Sequence, residues 1–458
     1  MKEKMQAIGD AMLNGFMKFA SLKALVALKD GFILTMPATL IGSLFLLIAN
    51  IPIDGYSDWM TGVFGDKWNV GLSQVSTATF NILAIIVAVG IGYAYARNEK
   101  CDGISSGLLS LVAFFIVSPS SMTLSLDKDT FQAATDTTKH AADVAVSGIF
   151  NQTWTGSNGI ISAIIMGLIV GWVYTACIKH NVKIKMPDAV PAGVSNAFSA
   201  LIPGLIVITG SAILYHLCQI FGGLSLTELI FKILQIPLQS LTDTWAGAII
   251  IIVLMSLLFW CGIHGANVVS GVVTPLLLAN TLSNQKLFDA GVTPYTKANG
   301  FHYLTPQMID CFCKYSGVGL TVGLLIAALL FAKSEQMRTV SKLSIVPGIF
   351  GINEPVIFGL PIVFNPIMLI PFVLTPMVAM IIMYGAVSIG FLAPFGAVQV
   401  PWTTPPIISG FILGGWKAAL LQVIIGVIAV FIYMPFVKMQ DKVCLEQEQA
   451  NAEDAAEK

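Results

Sequence analysis

A chain of 458 residues with 56% hydrophobic and only 11% charged residues falls far short of the roughly 25% charge of a soluble domain, which excludes one large soluble core and indicates a polytopic membrane protein. Its 24 basic and 25 acidic residues leave a formal net charge of −1, which speaks against a nucleic-acid partner, since that needs a basic patch. The seven cysteines form no CxxC pair and several sit inside apolar runs, as small buried hydrophobes do.

In chain order, the first 30 residues carry Lys2, Lys4, Lys18, Lys23 and Lys29. They lack an apolar signal core with a small-residue cleavage site and read as an amphipathic segment at the membrane surface. Runs close to the ~20 apolar residues of a span recur at roughly 31–50, 78–96, 103–118, 158–178, 194–222, 244–263, 316–332, 366–392 and 416–437, with a Pro-rich apolar stretch at 394–414. They predict about ten crossings. Residues 51–77 and 119–157 read as polar loops, the second holding an Asn151-Gln152-Thr153 sequon, and 227–240 reads as an amphipathic helix along the membrane. Gly103-Ile-Ser105-Ser-Gly107 matches GxSxG but opens a span and lacks the strand–turn–helix context of a nucleophile elbow. No Walker A or HExxH motif is present, so no ATPase or metalloprotease machinery is visible. Cations cluster at Arg97 and Lys100, at Lys179, Lys183 and Lys185, and at Lys438 and Lys442, which by the positive-inside rule places both termini in the cytoplasm. Lys333, Arg338 and Lys342 conflict with strict alternation from residue 244, which puts them outside unless a segment in 264–315 crosses. The acidic tail "LEQEQANAEDAAEK" at 445–458 is expected to be disordered.

Three polar islands interrupt the apolar chain. In 260–283, "WCGIHGANVVSGVVTPLLLANTLS", His264 and Asn267 lie among Gly262, Gly265, Gly271 and Pro275. In 343–366, Asn353 and Glu354 lie among Pro347, Gly348, Gly351, Pro355, Gly359, Pro361 and Pro366. Proline removes a backbone donor and biases the preceding residue away from helix, so Glu354 is expected on extended backbone. Irregular backbone is tolerated at membrane depth only where protein buries it or a polar cavity hydrates it, so both stretches predict re-entrant hairpins facing a cavity, near 264–283 and 343–366. A carboxylate at that depth costs about 2.5–3.5 kcal/mol on insertion scales, which marks Glu354 as functional. The third island, "PFGAVQVPWTTPP" at 394–406, offers Trp402 as either an interfacial anchor or a platform for a sugar ring. Asn299 and His302 read as loop surface. Cys261 with His264, and Cys311 with Cys313, lack the spacing of a metal site, so no metal is expected. A carboxylate, a histidine, an amide and an indole suit a neutral, hydroxyl-rich ligand. An ion path would show several acidic residues in the spans, and these have almost none.

"GINEPVIFGLPIVFNP" at 351–366 closely resembles the signature of the sugar-transporting EIIC subunits of the bacterial phosphoenolpyruvate-dependent phosphotransferase system. "WCGIHGANVV" and the upstream "KDGFILTMPATLIGSLF" resemble its lactose/cellobiose/diacetylchitobiose branch. The resemblance runs over essentially residues 5–438. It implies an all-α, multi-pass protein of the bacterial cell membrane with about ten transmembrane helices and two re-entrant hairpins, like the EIIC glucose superfamily. It implies a homodimer whose contact lies in residues 1–243, a sugar-carrying half at 244–438 that moves as a rigid elevator, and a cytoplasmic tail at 439–458. By matching motifs, Glu354 and His264 fall on sugar-binding positions, with Asn353, Asn267 and Trp402 as further contacts, and Glu354 lies near the hydroxyl that is phosphorylated. No cofactor is expected. The implied partners are a disaccharide, membrane lipid and phosphorylated EIIB, whose donor cysteine has no match here, Cys444 included. EIIB is therefore expected as a separate protein, which leans the sugar from lactose toward cellobiose or diacetylchitobiose. An ion-coupled secondary sugar transporter is the main alternative. A membrane glycoside hydrolase would need a second carboxylate at matched spacing.

Overall fold

The computed structural model describes residues 18, 21–49, 51, 55–125, 143–187, 189–262, 264–360 and 362–456. The amphipathic segment expected at the N-terminus lies mostly outside them. Among the described residues the regular structure is helical apart from one ribbon. Helices α1 (Lys23–Ile33), α2 (Met36–Ala49), α3 (Tyr56–Phe64), α4 (Val70–Phe80), α5 (Leu83–Asn98) and α6 (Gly103–Val117) lead into strands β1 (Ser121–Ser125) and β2 (Asp143–Ser147). The strands pair antiparallel, Ser121 opposite Ser147, where the sequence indicates only a polar loop. Then follow α7 (Ile160–Lys179), α8 (Ala192–Ser199), α9 (Leu201–Gly222), α10 (Leu226–Thr242), α11 (Trp245–Trp260), α12 (Gly265–Asp289), α13 (Thr321–Phe331), α14 (Glu335–Ile349), α15 (Glu354–Gly359), α16 (Pro366–Ser388) and α17 (Ile408–Ala456). Among the described residues seven helical stretches are long and apolar enough to cross a bilayer, eight if the bent pair α10–α11 is one span. Of the expected crossings, 103–118 and 316–332 are the apolar helices α6 and α13, of 15 and 11 residues, below the ~20 that a full crossing needs, and the Pro-rich stretch at 394–414 is not helical before Ile408; Gly265–Asp289 is span-length instead.

The chain forms two compact units, one of residues 27–36 and 79–237, the other drawing on 37–78 and 238 onward. In the first, α5 packs against α6 and α7, and several buried hydroxyls find partners within the bundle, as polar groups at membrane depth tend to. The Ser106 hydroxyl donates to the Gly92 carbonyl at 2.7 Å, and Thr227 Oγ1 lies 3.1 Å from Ser118 Oγ and 2.9 Å from Ser162 Oγ. Ser225 and Glu228 close a capping box that starts α10. This is the S-x-x-E pattern in which each side chain satisfies the other's backbone donor.

The second unit carries the polar islands, and here two expectations are corrected. The first island is interrupted between the end of α11 at Trp260 and the start of α12 at Gly265, and 265–289 runs as one helix despite Gly271 and Pro275, in place of the hairpin expected at 264–283. Pro275 and the residues after it to Leu282 are buried, and packed neighbours let a membrane helix tolerate a proline. The acidic tail, expected to be disordered, is helical to Ala456, and two carboxylates of this last stretch have partners. Asp441, 5% exposed, accepts the backbone N–H groups of Lys333 (2.8 Å) and Ser334 (2.8 Å), and Glu448 accepts that of Gln336 (2.9 Å). These bonds cap α14 from another helix and put Lys333 and Arg338 on the same side as Lys438 and Lys442, not the opposite side that strict alternation requires. Asp441→Ala is expected to cost about 1–2 kcal/mol, the worth of a strong helix cap, read as a lower Tm in detergent. An unchanged Tm would show that the cap carries no weight.

Candidate functional site

The site is built where two interrupted helices meet. α11 ends at Trp260, and Gly262 turns the chain at φ +82. His264 then caps α12, its Nδ1 accepting the Asn267 backbone N–H at 3.3 Å. Gly265 must lack a side chain, since a Cβ there would lie 2.0 Å from the Met255 carbonyl oxygen. The His264 ring packs on Phe259, centroids 4.7 Å apart. With Nδ1 accepting, the neutral imidazole carries its proton on Nε2, the atom that faces Glu354.

Glu354 opens α15. The expectation of extended backbone there is overturned. Asn353 is the N-cap, its carbonyl accepting the N–H groups of Val356 and Ile357 at 3.0 Å each. Pro355 falls in the first turn, where a proline's missing N–H is no loss because that donor has no helical partner anyway. Asn353, expected to touch the ligand, is put to another use. It is 3% exposed and its Nδ2 donates to the Val318 carbonyl at 2.8 Å. Gly317, at φ +88, makes room for it, since a Cβ there would sit 2.2 Å from Asn353 Cγ. Gly317→Ala therefore combines left-handed strain of about 1–2 kcal/mol with a clash. It is expected to lower Tm and to weaken ligand binding by shifting the start of α15. Wild-type stability in that variant would mean that the 314–320 loop does not hold Asn353.

The structure brings His264 and Glu354 together. His264 Nε2 lies 3.9 Å from Glu354 Oε1, with the side chains 45% and 49% exposed. Asn267 is exposed one turn along α12 from His264. Trp402 is 49% exposed and lies against the backbone three residues before Glu354: a Cβ on Gly351 (φ +83) would be 3.0 Å from Trp402 Cε3. Underneath, Phe259, Ala266, Val318, Val356, Ile357, Leu360, Ile362 and Phe372 share one buried core, so the two breaks rest on common packing.

Sequence reasoning missed the amides that hold the Trp402 segment. Gln307 Nε2 donates to the carbonyls of Gly396 and Val398, both at 2.8 Å. Asn284 Nδ2 donates to Phe395 O (3.0 Å), and Gln285 Oε1 accepts the Ala397 N–H (2.9 Å). The hydroxyl of Ser43 donates to Gln399 O (3.1 Å), and Gln422 Oε1 accepts from Ile407 and Gly410. The available signal was an amide inside an apolar run, which must find a partner at membrane depth. His302 joins a different cluster. Its Nδ1 lies 3.4 Å from Oδ2 of buried Asp243, which also accepts the N–H groups of Tyr303 and Leu304 and pairs with Lys297 at 3.2 Å.

A family model described as "Phosphotransferase system, EIIC" matches residues 29–376. The lichenan permease IIC component of Bacillus subtilis (strain 168) is 36% identical over 433 residues, covering 94% of this chain and 92% of that protein. The cellobiose-specific EIIC component of Geobacillus stearothermophilus is 36% identical over 436 residues, covering 95% and 93%. Among solved structures, the transporter ChbC, the IIC component from the N,N'-diacetylchitobiose-specific phosphotransferase system, is similar with a TM-score of 0.85 at 38% identity, covering 94% of this chain and 96% of that one.

Proposed function

The chain belongs to the phosphotransferase system EIIC family, and from that premise we propose that it binds a β-linked disaccharide of the cellobiose or diacetylchitobiose class and presents it for phosphorylation during uptake. The observation that carries the reading is the half-exposed pair of His264 Nε2 and Glu354 Oε1, 3.9 Å apart. That separation is too long for a direct hydrogen bond. A hydroxyl oxygen about 2.8 Å from both atoms would see them at roughly 90°, accepting from the imidazole and donating to the carboxylate. A sugar hydroxyl meets both demands, and Trp402, packed on Gly351 three residues before Glu354, offers a ring face that suits the apolar side of a pyranose.

In the proposed cycle the disaccharide enters from outside and binds at this pair. The carrier half, with both breaks, swings as an elevator within a homodimer, and phosphorylated EIIB docks on the cytoplasmic face, where both termini lie. The phosphoryl group passes from the partner's phosphocysteine to the sugar hydroxyl, the hydroxyl loses its proton, and the ester leaves with a charge that prevents return. Glu354 orients the acceptor hydroxyl, because an in-line transfer is chiefly a matter of positioning.

Uptake by proteoliposomes tests this. Radiolabelled cellobiose or diacetylchitobiose is expected to appear inside as the phosphate only when phospho-EIIB is supplied. Accumulation of free sugar driven by an ion gradient, without EIIB, would overturn the reading in favour of an ion-coupled carrier.

A further inference from the structure

His264 and Glu354 belong to different helices, and nothing in either helix alone fixes their 3.9 Å separation. Two bonds join the backbone on which they stand, and both come from one residue. Trp260, the last residue of α11, donates from its indole Nε1 to the Asn365 carbonyl at 2.8 Å. Its own carbonyl accepts the Phe364 N–H at 3.0 Å. The indole meets the Phe364 ring edge-on, centroids 5.7 Å apart. Phe364 is held at φ +55, a left-handed conformation unusual for a bulky side chain. Such a conformation persists where its surroundings over-determine it, and it gathers at ligand sites. Next along the chain, Asn365 Oδ1 caps α16 through the N–H groups of Ile367 (2.9 Å) and Met368 (3.4 Å), and its Nδ2 donates to Gln440 Oε1 at 2.8 Å. The segment that leaves the Glu354 helix is thereby anchored, and Trp260, four residues before His264, is tied to the anchor.

Resting on the functional reading above, we propose that Trp260 is a positioning residue for the sugar site: its indole N–H bond to the Asn365 carbonyl sets the distance between His264 and Glu354. Trp260 need touch no ligand in this role. It acts through His264, whose position follows from where α11 ends and the chain turns at Gly262.

The test is a double-mutant cycle. Trp260→Phe keeps an aromatic ring and removes the N–H donor. It is expected to weaken disaccharide binding, measured by calorimetry, about three- to tenfold, the worth of one misplaced neutral hydrogen bond. In a His264→Ala background the same change is expected to alter affinity by less than about twofold, because the group being positioned is gone. Equal losses in both backgrounds would overturn the proposal and make Trp260 a packing residue. If Trp260→Phe does not fold, β-(3-benzothienyl)alanine at position 260 matches the indole in shape and deletes only the donor, and the same comparison applies. A second readout needs no sugar. With five histidines in the chain, the imidazole 15N signals of His264 are assigned by their loss in His264→Ala, and they are expected to move in Trp260→Phe. Unmoved signals overturn the clip even where affinity falls. A wild-type protein that binds no disaccharide would sink the functional reading, and the 15N result would still decide the clip.

Discussion

Glu354→Gln is expected to abolish sugar phosphorylation, with a loss of about 100-fold or more in phospho-EIIB-dependent turnover, while the protein stays folded. The fold tolerates the change because the side chain is 49% exposed and glutamine matches its shape. Chemistry does not tolerate it. A carboxylate accepts from a hydroxyl as a charge-assisted bond worth about 1.5–3 kcal/mol, and an amide oxygen offers a weaker acceptor beside an NH2 that points a donor at the same hydroxyl. Affinity is therefore expected to fall about 10- to 100-fold. The remaining loss appears at saturating sugar, because the acceptor oxygen is no longer aimed along the line of transfer. Isotope-labelled phosphoryl transfer in a reconstituted system reads both components. Wild-type turnover in the variant removes Glu354 from the mechanism.

Why the pair was legible in sequence, and its surroundings less so, follows from how far each signal reaches. An acid and a histidine among glycines and prolines in an apolar chain are conspicuous, since their cost at membrane depth must be offset locally. The backbone beneath them was harder to read. Pro355 argued for extended chain at Glu354, but a proline in the first turn of a helix leaves no donor unsatisfied. Pro275 and Gly271 argued for a break that burial among neighbouring helices removes. Asn353 stands beside Glu354 in sequence, yet its amide is spent on the Val318 carbonyl, a partner 35 residues away. The same holds for Gln307 and Gln422, whose side-chain N–H groups donate to the carbonyls of Gly396 and Cys311, 89 and 111 residues distant. The length of the apolar runs located the helices to within a few residues at 158–178 and 194–222, observed as Ser157–Lys179 and Ala192–Gly222. It could not say that 441–448 stays helical, because the groups Asp441 and Glu448 satisfy lie on another helix.

His264 separates two roles that a single alanine substitution confounds. Its Nδ1 caps α12 by accepting the Asn267 N–H, and its Nε2 faces Glu354. His264→Ala removes both, so it is expected to lower Tm by the loss of a cap, about 1 kcal/mol, and to weaken disaccharide binding about tenfold by the loss of the donor to the shared hydroxyl. His264→Asn separates them. Asparagine is among the best N-caps, so stability is expected to return toward wild type, but its side chain is too short to place a donor where Nε2 stands. Affinity should therefore remain as low as in His264→Ala. Recovery of binding together with stability in the asparagine variant would show that His264 serves the helix and not the sugar, leaving Glu354 without the donor that a shared hydroxyl requires.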